Sequence, residues 1–232
     1  MRTLAVIALK GGSGKTTVAA HLALAAHLRG VAAMLVDVDP QASAHHILSA
    51  RVGDGPDCLT SPGTKIMAAQ FAAVGLKKDL LVIDTPAGVV EDVTEAIVLC
   101  DLAVMVVRPT LIDIAGLART LAIVRRLGKP ATVVVSQAPV AREGVEPPLV
   151  QRALKGLAYL EAPTAPVILR ARTIYQTALE TGRSAEEMSD RAAAREVAAL
   201  WDYVAAAVAL PQADAWPADP QADPAAAAPP PP

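Results

Sequence analysis

The sequence predicts an α/β fold, a doubly wound and mainly parallel sheet with helices on both faces. Its apolar runs are continuous rather than alternating, as in strands that are buried on both faces. Helical stretches separate these runs, and such alternation implies parallel strands joined by right-handed crossovers. At 232 residues the chain is long enough to bury one core of ordinary size. We therefore expect one folded domain over residues 1–210 and a separate tail over 211–232.

Each predicted element rests on a local pattern. Strands are predicted at residues 4–9, 33–36, 80–83, 102–107 and 132–135, with a short sixth strand at 167–169. Helices are predicted near 15–29, 64–75, 89–99, 111–127, 147–159, 172–181 and 184–209. Ligands of such sheets bind at the carboxyl ends of the strands, so the residues just after each run are the candidates for function.

The first strand is followed by a glycine-rich octapeptide. Residues 10–17 read Lys-Gly-Gly-Ser-Gly-Lys-Thr-Thr and lead into an Ala/Leu-rich helical stretch. Strand, glycine loop and helix form the context of a phosphate-binding loop, in which backbone N–H groups and the positive helix end face an anion. We expect Lys15 to reach the outer phosphates and the Thr16 hydroxyl to bind Mg²⁺. The nucleotide-binding residues predicted here are Gly11, Gly12, Ser13, Gly14, Lys15, Thr16 and Thr17.

Three carboxylates follow the next two strands. Asp37 and Asp39 come after the second run, and Asp84 follows the third. A helix-capping role could explain any one of them. All three at strand ends beside a phosphate loop favour a nucleotide–Mg²⁺ site, which needs carboxylates for the metal and for the attacking water.

Composition and charge narrow the function classes. The net charge of the whole chain is −2. Residues 211–232 hold eight prolines, eight alanines and three aspartates but no basic residue. Residues 1–210 therefore carry 21 basic and 20 acidic side chains, a net charge of +1. Such a tail buries too little apolar surface to order, so we expect it to be disordered. Arginines recur in the second half of the chain, where they form either a solvated surface or an anion-binding one.

Other classes are disfavoured by what the sequence lacks. The two cysteines, Cys58 and Cys100, match no metal or redox spacing. No basic-then-apolar signal segment and no apolar stretch of roughly 20 residues is present. We expect a cytoplasmic protein.

The motifs resemble those of the ParA/MinD family of deviant Walker ATPases. Lys10, ahead of the glycines, matches the family's signature lysine, while Asp37-Val-Asp39-Pro-Gln and Asp84-Thr-Pro-Ala match its next two motifs. The similarity continues in residues 107–113 and in the Arg-x-x-Tyr…Gly-x-Ser stretch over 172–184. The chain is most similar to short, ParF-like plasmid partition proteins without an amino-terminal helix-turn-helix domain. The resemblance implies a P-loop NTPase fold of the SIMIBI, deviant Walker type.

The resemblance also implies residue roles. Lys15 and the loop amides would hold ATP, Thr16, Asp37 and Asp84 would hold Mg²⁺, and Asp39 would orient the hydrolytic water. Lys10 would cross a dimer interface to the other subunit's phosphates, which gives it a catalytic role in trans. The adenine site is poorly marked, and Ser136 and Gln137 after a strand end are its candidates.

The function that the resemblance implies is DNA partitioning. An ATP-dependent sandwich dimer would bind DNA without sequence preference on the nucleoid, and a ParB-like or ribbon-helix-helix centromere-binding partner would stimulate slow hydrolysis and release. Non-specific binding needs cations placed against phosphates. The candidate DNA contacts are Arg170, Arg172, Arg191 and Arg195.

Three alternatives stay open. A ParA-like protein that positions another cargo would share all of this biochemistry. A MinD-like ATPase would lie on a membrane through a basic amphipathic last helix, but here the bases of residues 191–210 are at one end only, so we expect no membrane. A metabolic P-loop enzyme is disfavoured by Lys10 and by the Asp37 motif.

Overall fold

A computed structural model describes residues 1–8, 10–88 and 90–210, and a seven-stranded sheet lies at its centre. The strands β1–β7 are Arg2–Ile7, Ala33–Asp37, Asp57–Thr60, Leu80–Asp84, Leu102–Val107, Ala131–Ala138 and Thr164–Arg170. Their order is β3-β2-β4-β1-β5-β6-β7, and every pair of neighbouring strands is parallel. The predicted doubly wound sheet is confirmed.

Eight α-helices among the described residues cover the two faces of this sheet. Helices α1–α8 are Lys15–Leu28, Ser43–Ser49, Ile66–Gly75, Val90–Leu99, Leu111–Arg126, Pro148–Tyr159, Ile174–Glu180 and Arg191–Ala207. Buried residues of α1, α2, α7 and α8 share one core with the sheet, and those of α3 to α6 share the other. Leu9, Val89 and the predicted tail 211–232 lie outside the described residues.

The central strands and α1 form the deepest part of the core. Every residue of β4 and β5 is buried, as expected for parallel strands covered on both faces. Helix α1 is rich in alanine and is buried between the sheet and α8, because small side chains allow close approach. This packing fixes the amino end of α1 at the carboxyl end of β1, where a ligand of the sheet would lie.

The structure differs from the sequence predictions at three elements. Strand β3 and helix α2 were not predicted, since β3 is a short and largely exposed edge strand and α2 has only seven residues. The single helix expected over 184–209 is broken. Ser184 caps a short 3₁₀ turn, Ala185–Glu187, and Asp190 caps α8 by accepting from the backbone N–H of Ala192 and Ala193. The two capping side chains explain the break, because each begins a new helical segment.

Helix α8 packs its apolar face on the body of the protein. Leu200, Trp201 and Val204 are all buried against the core that α1 shares. An interfacial helix would instead present this face to lipid. None of the helices in the described part of the chain is long and apolar enough to cross a membrane.

Candidate functional site

The glycine loop leaves the amino end of α1 open. Gly12 and Gly14 have φ angles of +72° and +92°, in the left-handed region where other residues are strained. Gly14 is the N-cap of α1, and no side chain caps the helix. A Cβ at Gly14 would lie 2.9 Å from the Oγ of Ser136, so a larger residue there would also displace that side chain. The first N–H groups of α1 therefore remain available to an anion.

Two carboxylates meet at the ends of neighbouring strands beside this loop. Asp37 ends β2 and Asp84 ends β4, and the two residues are direct partners in the β2–β4 register. The oxygens of Asp37 accept from the backbone N–H of Asp39 at 3.1 Å and of His45 at 3.0 Å. The sequence prediction that these carboxylates converge is thus matched by the register of the sheet.

Asp84 is a buried carboxylate without a partner. It is 0 % exposed, and neither of its oxygens has a hydrogen-bond partner among the described residues. Burial raises the pKa of Asp84 to about 7, and the Asp37 charge adds to that rise. The nearby Thr16 hydroxyl and the charge of Lys15 lower the pKa of Asp84 and so partly offset this rise. The Thr16 hydroxyl nevertheless does not form a hydrogen bond of normal geometry with either Asp84 oxygen. A buried, unpaired carboxylate of this kind calls for a cation.

The residues present fit Mg²⁺ bound together with a phosphate. Mg²⁺ keeps several waters and uses one or two carboxylates plus substrate phosphates, rather than a cage made only of protein ligands. The described residues accordingly hold no cluster of three or more His, Cys, Asp or Glu that could bind a metal by itself. Thr16, Asp37 and Asp84 supply only oxygen ligands, which suits a hard cation.

We expect Asp84→Asn to stabilise the nucleotide-free protein. The folded-state pKa near 7 lies above the ordinary 3.8, so the stability from a protonated Asp84 is complete below pH 3.8 and is lost as the pH rises through 7. Removing the charge should raise the free energy of unfolding by about 2 kcal/mol at pH 8 and abolish Mg²⁺-dependent nucleotide retention. Urea denaturation at pH 5 and pH 8 measures this difference.

The matched control for that experiment is Asp37→Asn. Because Asp37 accepts two backbone N–H groups, this change should lower the free energy of unfolding by about 1 kcal/mol at pH 8. Equal responses of the two variants would contradict the distinction between a paired and an unpaired carboxylate.

The two lysines of the loop lie in different environments. Lys15 is buried at the start of α1. The side chain of Lys10 is 42 % exposed, and its Nζ lies 3.5 Å from Oδ1 of Asp113 in α5. Nε of Arg108 donates to Oδ2 of Asp113 at 2.6 Å. Burial opposes ionisation, yet Arg108 and Lys10 together lower the pKa of Asp113. Asp113 thus holds Lys10 within its own subunit, a role that sequence reasoning missed.

A cavity of about 320 Å³ lies between the glycine loop and the segment that follows β7. Gly14, Thr17, Ser136 and Gln137 form one wall, and residues 169–173 with Tyr175 and Gln176 form the other. Nε2 of Gln137 donates to the carbonyl of Gly12 at 2.8 Å and so supports the loop. The structure brings both residues predicted for the adenine site beside the phosphate loop, and their contact with a base stays a prediction.

Arg170 and Arg172, which were predicted to bind DNA, are engaged in ion pairs within the chain. Arg170 forms a two-pronged ion pair with Glu146, with distances of 2.6 and 2.8 Å, and Arg172 donates to Oε1 of Glu196 at 2.8 Å. Arg191 and Arg195 are exposed on α8. The role of all four in DNA binding stays a prediction, but the geometry places Arg170 and Arg172 in the cavity wall.

Glu196 of α8 holds the far wall of the cavity in place. Besides Arg172, it accepts from the hydroxyl of Tyr175 at 2.7 Å and from the backbone N–H of Arg170 at 2.8 Å. The ring of Tyr175 packs edge-on against His21, whose Nδ1 lies 2.8 Å from the carbonyl of Thr17. The network joins the first turn of α1 to α8.

Comparisons with known proteins place this site in a family. The family described as "CobQ/CobB/MinD/ParA nucleotide binding domain" matches residues 4–187. A protein named "Putative replication protein A" from Rhizobium rhizogenes is 42% identical over 69 residues. Those residues make up 30% of this chain and 16% of that protein, so the chain spans only a small part of this relative.

Solved structures share the fold at low identity. An ATP complex of McdA from Cyanothece has a TM-score of 0.74 and 18% identity, covering 91% of this chain and 98% of that one. A "putative plasmid partition protein" from Borrelia burgdorferi bound to AMPPNP has a TM-score of 0.66 and 14% identity, covering 88% and 98%. At this identity the likeness establishes a P-loop NTPase fold. With the family match over residues 4–187, the chain belongs to the CobQ/CobB/MinD/ParA family of nucleotide-binding domains.

Proposed function

We propose that this chain is a DNA-partitioning ATPase that dimerises when it binds ATP. ATP-loaded dimers bind DNA without sequence preference on the nucleoid, and a ParB-like or ribbon-helix-helix partner stimulates hydrolysis and release. The observation that carries the proposal is Lys10, whose exposed side chain stands at the outer edge of the phosphate loop. A lysine at that place can reach a nucleotide held by a second subunit, which would link nucleotide state to dimerisation.

Each part of the site has a role in this proposal. The N–H groups of Gly11 to Thr17 and the ammonium of Lys15 bind the phosphates of ATP. Asp37, Asp84 and Thr16 hold Mg²⁺, which neutralises phosphate charge when bound. Asp39 lies on the turn after β2, where its Oδ1 accepts from the backbone N–H of Gln41 at 2.9 Å. This hydrogen bond fixes the orientation of the Asp39 carboxylate, and its other oxygen can orient a water towards the terminal phosphate.

The dimer requires Lys10 to exchange partners. In the present conformation Lys10 pairs with Asp113, and in the dimer it would pair with phosphate oxygens of the other subunit. The exchange leaves no buried charge alone, because Arg108 continues to hold Asp113. Hydrolysis removes the terminal phosphate, so the trans contact weakens and the dimer separates.

The experiment that tests this function is DNA binding as a function of nucleotide and salt. We expect the ATP-loaded protein, but not the nucleotide-free one, to bind random duplex DNA. Its affinity should fall by about 10³-fold between 50 and 200 mM salt, as for a protein that makes several phosphate contacts. Fluorescence anisotropy of a labelled duplex measures it. Binding to anionic liposomes without binding to DNA would instead favour a MinD-like membrane ATPase. Absence of both would overturn the partition proposal.

A protein that positions another cargo remains the second candidate. Its ATP, dimer and DNA chemistry is the same, so only the partner that stimulates hydrolysis distinguishes the two. The buried apolar face of α8 argues against lipid binding through that helix.

A further inference from the structure

The exposed charged side chains of helices α5 and α6 are all basic. Arg119, Arg125 and Arg126 of α5 and Arg152 and Lys155 of α6 are exposed. The only acidic residue in either helix is Asp113, which is buried and paired with Arg108. Helix α8, by contrast, carries Glu196 and Asp202 beside its two arginines. The outer surface of α5 and α6 is therefore positive although the whole chain has a net charge of −2.

The two helices form one continuous surface. They cover the same side of the sheet, over the neighbouring strands β5, β6 and β7. The guanidinium of Arg125 donates to the carbonyls of Leu160 and Glu161 just after α6, at 2.9 and 3.0 Å, and so ties the two helix ends together. The remaining four cations, Arg119, Arg126, Arg152 and Lys155, are called the α5–α6 basic face below.

The cations of this face are available to a ligand. Within the part of the chain that the structure describes, none of the four forms an ion pair or a side-chain hydrogen bond. Arg170 and Arg172, in comparison, are already paired with Glu146 and Glu196. A cation that is neutralised within the protein adds little to the counterion release that drives DNA binding, so the α5–α6 basic face has the larger capacity.

The shape of the face suits a rod-like polyanion. Ala115, Ala122 and Ala158 are exposed beside the basic side chains, and their small size leaves the cations as the outermost groups. Arg119 and Arg126 are seven residues apart, which is about 10 Å along the helix axis. Tyr159 at the end of α6 is 89 % exposed and can donate a hydrogen bond to a phosphate. Cations spaced along the exposed surface of two helices match binding to phosphates that ignores sequence.

We infer that the α5–α6 basic face is the surface that contacts the phosphate backbone of duplex DNA, in place of Arg170 and Arg172. The inference rests on the proposed function, because it takes DNA binding by the ATP-loaded protein as given. A dimer carries two such faces, and so doubles the number of phosphate contacts that a single chain can make.

The test compares two double variants of the full chain that lose the same charge. Arg119→Gln with Arg152→Gln removes one cation from each helix of the face, while Lys65→Gln with Lys77→Gln removes two exposed lysines from the ends of α3. For the first variant we expect an affinity for random duplex DNA at least tenfold weaker in 100 mM salt. The slope of log affinity against log salt should fall by about 3.6, at roughly 0.9 for each of the four contacts that the dimer loses. For the lysine variant we expect an affinity within twofold of the unmodified protein.

Three outcomes would overturn the inference, and each points to a different fault. If the unmodified ATP-loaded protein binds no DNA, the proposed function fails and the inference falls with it. If it binds and the arginine variant binds equally well, the inference alone is wrong. If the arginine variant loses binding to polyglutamate but not to DNA, the face takes an acidic protein segment instead. Unchanged ATP hydrolysis without DNA and an unchanged far-ultraviolet circular dichroism spectrum show that both variants fold.

Discussion

Lys10→Ala is expected to abolish ATP-dependent dimerisation while leaving a folded monomer that still binds ATP. The monomer keeps its own phosphate contacts, because Lys15 and the open end of α1 do not depend on Lys10. The dimer loses the only cation that we propose to reach the other subunit's nucleotide. In a site that excludes water, the attraction between this cation and the phosphates is much stronger than in water. Sedimentation velocity with and without ATP measures the loss, and we expect only the monomer at concentrations where the unmodified protein dimerises.

The contact with Asp113 makes this prediction specific to the dimer. Removing Lys10 leaves Asp113 with Arg108, so the thermal midpoint should change little. Lys77→Ala is the matched control, since Lys77 is an exposed lysine just before the amino end of β4, at the edge of the sheet opposite the loop, and should leave dimerisation unchanged. Persistent ATP-dependent dimers of Lys10→Ala would show that Lys10 acts only within its own subunit.

Asp39→Ala is expected to slow ATP hydrolysis by on the order of 100-fold or more and to preserve the ATP-bound dimer. Asp39 lies two residues after Asp37, which we propose to hold Mg²⁺, and is at the more exposed end of the turn, where it could orient a water without holding the metal. Losing it should therefore affect the chemical step and leave nucleotide binding intact. Phosphate release measured alongside sedimentation separates the two effects.

The control for this experiment is Asp54→Ala, an exposed carboxylate in the loop before β3. It should change neither hydrolysis nor dimerisation. If Asp39→Ala instead lost ATP binding together with hydrolysis, Asp39 would belong to the metal site rather than to the attacking water.

The placement of the candidate phosphate-site residues could be predicted from sequence because it is local or fixed by the sheet. The loop over residues 10–17 carries its own strand and helix signals. The meeting of Asp37 and Asp84 follows from two parallel strands that end at one edge, and the register places them opposite one another. Neither inference needs knowledge of distant side chains.

The environment of the charged side chains could not be predicted in this way. Lys10 pairs with Asp113, which is 103 positions away in the sequence, and Arg170 pairs with Glu146, which is 24 positions away. Only the folded chain brings these side chains together. Nothing local in the Arg170–Arg172 segment indicates that acids from other elements neutralise its arginines. The even spread of arginines in the sequence likewise conceals that α5 and α6 carry basic side chains and no exposed acidic ones.

The central claim is that Lys10 joins two subunits through ATP, and a structure of the Asp39→Ala protein with ATP and Mg²⁺ tests it most directly. We predict a two-fold dimer in which Nζ of Lys10 has left Asp113 and lies within hydrogen-bonding distance of a phosphate oxygen on the other subunit's nucleotide. Lys10 still paired with Asp113, or bound only to the nucleotide of its own subunit, would contradict the account.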